Sequence, residues 1–524
     1  MYNSLPSAIG SSVIDFGKPA VFPIIEYSKC LLDTDANVTE CEPTKLLEKI
    51  KKKEYSCYDV LKSYFHAALL ASKLTNCVAE FLPDESLQRA RFLDENINTL
   101  LELPLLGLPI SLKEMIPLEG HCVTNGSLCH MDRIVDYNAD IVNILFRNGA
   151  IPFVRTTNPQ SLMMLECESF MHGRTVNPFN SKLSSGGSSG GEGAINGIHA
   201  SSVGLGSDIG GSIRCPSAFN GIYGLRTTVG RIPTADFFSC QMGSESIFSV
   251  TGPLTRSLET LELLMKTIID DKPWLIDPSL ATIEWKGVQE SINKKFRIGI
   301  LQSDEVVTPH PPILRALEFV RKSLKELPNV EVFDYKPFDH SRAWEIISSL
   351  YFEDGGADTK ATFSSTGEPI CPQTEWVLNN EKVARLEIED LWYWNLEKQK
   401  YRKEYLKHWL AFNNPNGDSP MDAIIAPVFP GVAPKHRSAK YWGYTAQWNL
   451  LDYPVLVFPV TTVDVEKDKP VTDYVALNDT DKFVYEQYDD AMSFENAPVN
   501  LCIVGLRFTE ERLLEIAKVL RDNL

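Results

Sequence analysis

Residues 186–217 read GGSSGGEGAINGIHASSVGLGSDIGGSIRCPS and hold roughly a third of the chain's 31 glycines. Glycine loses more conformational freedom on folding than any other residue, so a run this dense is costly unless the backbone must approach something closely. A flexible linker has a similar composition, but Ile195, Ile198, Val203, Leu205, Ile209 and Ile213 punctuate the run with apolar anchors that a linker does not need. The stretch is therefore expected to fold, with main-chain N–H groups as its working parts.

Three common uses of such a run can be tested on the letters. A phosphate-binding loop needs a lysine after its last glycine, and no glycine here is followed by one. A dinucleotide loop starting at Gly204-Leu205-Gly206 needs glycine at 209, where Ile209 stands. A nucleophile elbow is formally present as Gly187-Ser188-Ser189-Gly190-Gly191, but it would need a later histidine and leaves GSDIGGSIRCPS without a role.

Both halves are used together in the amidase signature family of serine hydrolases, which this segment resembles: GGSSGGEGA, then GSDIGGSIR, then Pro216-Ser217. LPISLKEMI supplies the upstream lysine of that family as Lys113, 75 residues before Ser188, and Ser212 follows Ser188 after 24 more. TTNPQSLM, TVNPFN, IIAPVFPG and VNLCIVG extend the likeness over most of the chain from about residue 60, with the acetamidase and fatty-acid-amide branches nearest. The resemblance implies an amide hydrolase needing neither metal nor organic cofactor, with Ser212 as nucleophile, Ser188 as proton relay behind a cis Gly187-Ser188 bond, and Lys113 as general base. It implies an oxyanion cradle from the N–H groups of Ile209, Gly210, Gly211 and Ser212, and leaving-group contacts from the main chain near Ser161 and Leu162. Asp208 and Arg214 are expected to brace the loop, and Ser189 to support it by hydrogen bonding.

Of nine histidines only His199 lies inside the motif, on a candidate helix face, where a structural role is expected. A lysine can serve instead if burial leaves its amine neutral. His121-Cys122 and Cys129-His130 carry zinc-type donors, but the six residues between the pairs exceed the usual two to four.

The 524 residues, 44% hydrophobic and 23% charged, are ample for a large core, and the net charge of −18 argues against nucleic acid or an anionic membrane as partner. Eleven scattered cysteines, with no basic-then-apolar start and no long apolar run, predict reduced thiols and a cytoplasmic protein with no transmembrane segment. A homodimer is a family-level expectation.

Hydrophobic periodicity predicts helices at 57–74, 85–101, 140–148, 258–268, 312–327 and 510–520. Strands are expected at 108–112, 151–154, 296–301, 330–333, 423–426, 455–460 and 500–504, and a loop turning into a helix at 158–164. This interleaving predicts a single large α/β domain, residues 46–524, with a mixed central sheet covered by helices on both faces. Residues 1–45 are expected to form an irregular arm. Insertions are placed near 354–413 and at 464–490, the latter as a solvated loop. Within the first, residues 389–412 form an aromatic helix, whose Leu391 to Trp394 would be either core or a wall of an acyl pocket. Two other functions stay open: a subunit supplying ammonia to misacylated transfer RNA, and a catalytically silent binding module on the same fold.

Overall fold

The computed structural model describes residues 33–288, 295–413 and 420–524. Eleven strands form one sheet: β1 (Val78–Phe81), β2 (Pro109–Lys113), β3 (Ile151–Thr156), β4 (Val203–Asp208), β5 (Tyr223–Arg226), β6 (Val250–Thr255), β7 (Phe296–Ile300), β8 (Val330–Asp334), β9 (Ala423–Pro427), β10 (Val455–Thr462) and β11 (Pro498–Val504). Their spatial order is β1-β3-β2-β4-β6-β5-β10-β11-β9-β7-β8. Pairings β3–β2–β4 and β9–β7–β8 are parallel and the rest antiparallel. Every residue of β2, β3, β4, β6, β9 and β11 is buried. Continuous burial along a strand requires cover on both faces, so the expected sandwich of helices around a mixed sheet is what the chain builds.

Local sequence explains the element ends that position the site. In α1 (Cys57–Thr75) the Ser56 hydroxyl accepts the Asp59 N–H at 3.0 Å, and Asn76, at φ 55°, ends the helix in the left-handed conformation. Its buried face carries Tyr64 and Phe65, and Phe65 meets Phe153 of β3 edge to face at 5.4 Å. Two short helices take the centre: α2 (Gly190–Gly197), rooted on Ser189, and α3 (Arg214–Phe219), both entirely buried. Glycines in α2 let it lie close: a Cβ at Gly191 would come within 2.5 Å of Thr157 N. Among the described residues no helix is long and apolar enough to cross a membrane.

Several expectations change. The arm at 1–45 falls outside the described residues up to 32, and beyond them the chain is helical at Asp33–Thr39 and Pro43–Lys51. The helix expected at 85–101 is broken into Pro83–Glu95 and Ile97–Leu100. Residues 464–490 are not a solvated loop. They include helix Asp479–Glu486, and Asp468 and Asp481 are fully buried, the first on Arg315 at 2.6 Å and the second accepting Thr308 N–H at 2.8 Å. The first insertion holds α4 (Ala357–Thr366), α5 (Pro372–Leu378) and α6 (Ile388–Ala411).

The aromatic helix α6 sends Tyr401, Tyr405 and Trp409, one turn apart, into the core with no exposed surface, where Tyr405 meets Trp448 of α7 (Gly443–Leu451) at 6.2 Å. Trp392 and Tyr393 at its start are 64% and 55% exposed. Trp409→Ala should therefore destabilise the protein by about 3–5 kcal/mol, and Trp392→Ala by no more than about 0.5 kcal/mol. Denaturant titration of the two variants checks which face of α6 is core.

Candidate active site

Lys113 is the last residue of β2, flanked by the parallel strands β3 and β4, and its side chain is fully buried. Its Nζ lies 2.6 Å from Ser188 Oγ and 2.8 Å from Ser207 Oγ. Burial pushes the amine down from its ordinary 10.5 to about 7, while the charges of Asp208, Glu192 and Glu114 pull the other way without prevailing. Ser207, whose hydroxyl also donates to Met115 Sδ at 3.0 Å, was not singled out from sequence; its one signal is its place in the GSD triplet beside Asp208.

Ser188 follows a cis peptide bond from Gly187. A Cβ on Gly187 would sit 1.9 Å from the Glu166 carbonyl oxygen, so only glycine fits there. Ser189 is turned away from Lys113: its hydroxyl donates to Ser207 O and accepts Ser207 N–H, both at 3.3 Å. It thereby braces β4, and it is not among the residues that line the cavity. Ser189 N–H also donates to Ser212 O at 3.1 Å, tying the motif's two halves together. Among the described residues the Ser188 and Ser212 hydroxyls make no direct hydrogen bond, but both line the same cavity.

The turn after β4 is held by a buried ion pair. Asp208 accepts from Arg214 Nη2 and Nε at 2.8 and 3.0 Å, from Gly211 and Ile213 N–H at 2.9 and 3.1 Å, and from Asn449 at 3.0 Å. Burial alone would raise the Asp208 carboxyl, but the Arg214 guanidinium outweighs it and holds the group far below the usual carboxylate range. Arg214 extends the brace to α7 through Thr445 O at 2.7 Å and Asn449 Oδ1 at 2.5 Å.

This pairing corrects the expected four-donor cradle. Gly211 N–H is taken by Asp208, leaving the N–H groups of Ile209, Gly210 and Ser212 without a partner among the described residues. The reason for the glycines also changes. A Cβ on Gly210 would crowd the Tyr351 hydroxyl at 2.9 Å, and one on Gly211, at φ 133°, would crowd Thr445 Oγ1 at 2.7 Å. Neighbouring protein, not substrate, excludes side chains there.

A cavity of about 720 Å³ opens over Ser188, Ser207 and Ser212. Leu162, Met163, Ile232, Phe237, Ile247 and Leu350 give it a largely apolar wall. Ser161 and Leu162 also border it, on a short 3-10 turn, Gln160–Leu162, in place of the expected helix; both have φ 63°. Leu391 to Trp394 are not among the lining residues, so the pocket-wall reading of that segment is not met.

The remaining candidates are structural. His121 lies between Glu80 and Glu85 at 2.9 and 3.0 Å, and the Cys122 thiol donates to the carbonyls of His130 and Met131. His199 pairs with Glu40 at 2.8 Å. Glu192 of α2 was overlooked: fully buried, it accepts from Ser111 of β2 at 2.6 Å and Thr156 of β3 at 2.8 Å, and burial pushes its carboxyl up to about 7. It ties the strand that carries Lys113 to its neighbour β3.

A serine-lined cavity over a buried lysine, braced by a glycine turn, defines a hydrolytic site. The amidase family pattern matches residues 59–514, and the chain belongs to that family of amide-bond hydrolases. It is 37% identical to an acetamidase of Emericella nidulans over 97% of this chain and 92% of that one, and 34% identical to an acetamidase of Aspergillus oryzae over 95% and 92%. Its fold is similar to that of a fatty acid amide hydrolase with a TM-score of 0.90 and 32% identity, over 99% of this chain and 92% of that one.

Asp208→Asn leaves Arg214 charged and unpaired in the interior. It should cost about 3–5 kcal/mol in chemical denaturation; a loss below about 1 kcal/mol, the worth of an exposed pair, would show that the brace is not needed.

Proposed function

We propose that the protein hydrolyses carboxylic amides through an acyl-enzyme on Ser212, with Ser188 relaying protons to Lys113. The observation that carries this reading is the Lys113 amine, buried, shifted to about 7 and 2.6 Å from a hydroxyl that shares a cavity with Ser212. A neutral amine offers a lone pair. Ser188 donates its proton to it and accepts one from Ser212, since a hydroxyl has one donor and two acceptor sites. Ser212 Oγ bonds to the carbonyl carbon and its proton passes through Ser188 to Lys113. The same proton returns to the departing nitrogen as the C–N bond breaks. Water then attacks the acyl carbon, one of its protons passes through the same relay to Ser212 Oγ as the ester bond breaks, and the acid gives its remaining proton to solvent and leaves as carboxylate.

The unpartnered N–H groups of Ile209, Gly210 and Ser212 support an oxyanion site; loss of one comparable donor costs about 3–4 kcal/mol. Ser161 and Leu162 line the same cavity, and their main chain is assigned here to the leaving nitrogen. No step requires a cofactor. The apolar wall and volume favour amides of acyl groups larger than acetyl, within the range of small-molecule pockets.

Ser212→Ala should abolish labelling by a serine-reactive fluorophosphonate with little change in melting temperature; persistent labelling would place the nucleophile elsewhere. Because Lys113 must be uncharged, kcat/KM should rise with pH through about 7 and then level off. Lys113→Ala should lose most of the rate at neutral pH and lack this limb, recovering partly as hydroxide rises. In a panel of primary amides assayed with the chain alone, kcat/KM should increase up to about fourfold per added methylene until the cavity is filled. Inactivity of the isolated chain on every amide would favour an ammonia-supplying subunit.

A further inference from the structure

The Gln160–Leu162 turn places two consecutive residues with side chains in the left-handed region, at φ 63° each. Such a conformation persists only where its surroundings over-determine it. Here the surroundings come from the insertion. Gln160 is fully buried; its Nε2 donates to Glu368 Oε1 at 2.8 Å and Pro369 O at 2.9 Å, and its Oε1 accepts Cys371 N–H at 2.7 Å. Glu368 is 5% exposed, and its other oxygen accepts the Ser127 hydroxyl and Leu128 N–H, both at 2.8 Å. One carboxylate thus ties together the 127–128 loop, the turn and the segment joining α4 to α5. On the far side of the turn, Gln373 of α5 donates to Glu166 at 2.7 Å, and the Glu166 main chain is what abuts Gly187. The insertion thus holds Gln160 at the start of the turn, 208 residues away in the chain, and Glu166 four residues beyond its end, 207 residues away.

We propose that Glu368 is a positioning residue for the leaving-group side of the site: through Gln160 it fixes the Ser161–Leu162 main chain and so favours cleavage of amides over activated esters. The proposal rests on the reading that Ser212 attacks the carbonyl and that this main chain meets the departing nitrogen. An amide nitrogen must be oriented and protonated to leave, whereas a nitrophenolate departs unaided, so misplacing the turn penalises only the amide.

Glu368→Leu keeps roughly the size but removes both acceptor oxygens, so Gln160 and the Ser127–Leu128 pair lose theirs together. An anilide and the p-nitrophenyl ester of the same acid are compared, together with the rate of fluorophosphonate labelling. The anilide kcat/KM should fall about tenfold or more, as expected for loss of a hydrogen bond to a charged group. Ester turnover and labelling should stay within about twofold of wild type, a change too small to count as one lost hydrogen bond. Ser127→Ala, which leaves the Gln160 contact intact, should not alter the anilide-to-ester ratio. Parallel loss of both substrates, or an unchanged ratio, would overturn the proposal. Should Glu368→Leu not fold, Gln160→Met cuts the same link and is read by the same two outcomes. A wild-type enzyme that fails to label would instead overturn the serine reading beneath it.

Discussion

A lysine amine sealed at the end of β2 and hydrogen-bonded only to hydroxyls among the described residues cannot keep its charge cheaply. The rest of the site follows from that constraint. Lys113 is fully buried between parallel neighbours, and the segment leading into α2 supplies Ser188 while β4 supplies Ser207. Buried Glu192 ties β2 to β3 without touching the amine. The result is an amine whose charge burial disfavours, lowered to about 7.

A second constraint acts on the turn that follows. Among the described residues the N–H groups of Ile209, Gly210 and Ser212 have no partner, while Asp208 takes Gly211 and Ile213 N–H along with Arg214. The pair pays its desolvation through five good hydrogen bonds to one carboxylate. Burying charge here serves geometry more than stability, since an apolar pair of the same volume could match its energy but not orient the turn.

Much of this was legible in the sequence, for identifiable reasons. Strands buried on both faces read as short apolar runs, so β2, β3, β7 and β11 were found within two residues of their ends. Lys113 was reached through the family resemblance, which set it at the end of such a run. Ser207 and Glu192 did not stand out, because a serine in a glycine run and a glutamate in a helix are ordinary until strands bring Lys113, Ser111 and Thr156 beside them. Glu368 was illegible because its partners lie 208 to 241 residues away. Residues 464–490 were misread because Asp468 and Asp481, both buried, look in sequence like the solvated charges around them.

The central claim is an uncharged lysine in the resting enzyme. NMR titration of the protein carrying 15N-labelled lysine, with Lys113→Arg identifying the signal, measures that directly. The account predicts a side-chain nitrogen that loses its charge near pH 7. A Lys113 that remains an ammonium up to about its ordinary pKa of 10.4 would contradict it.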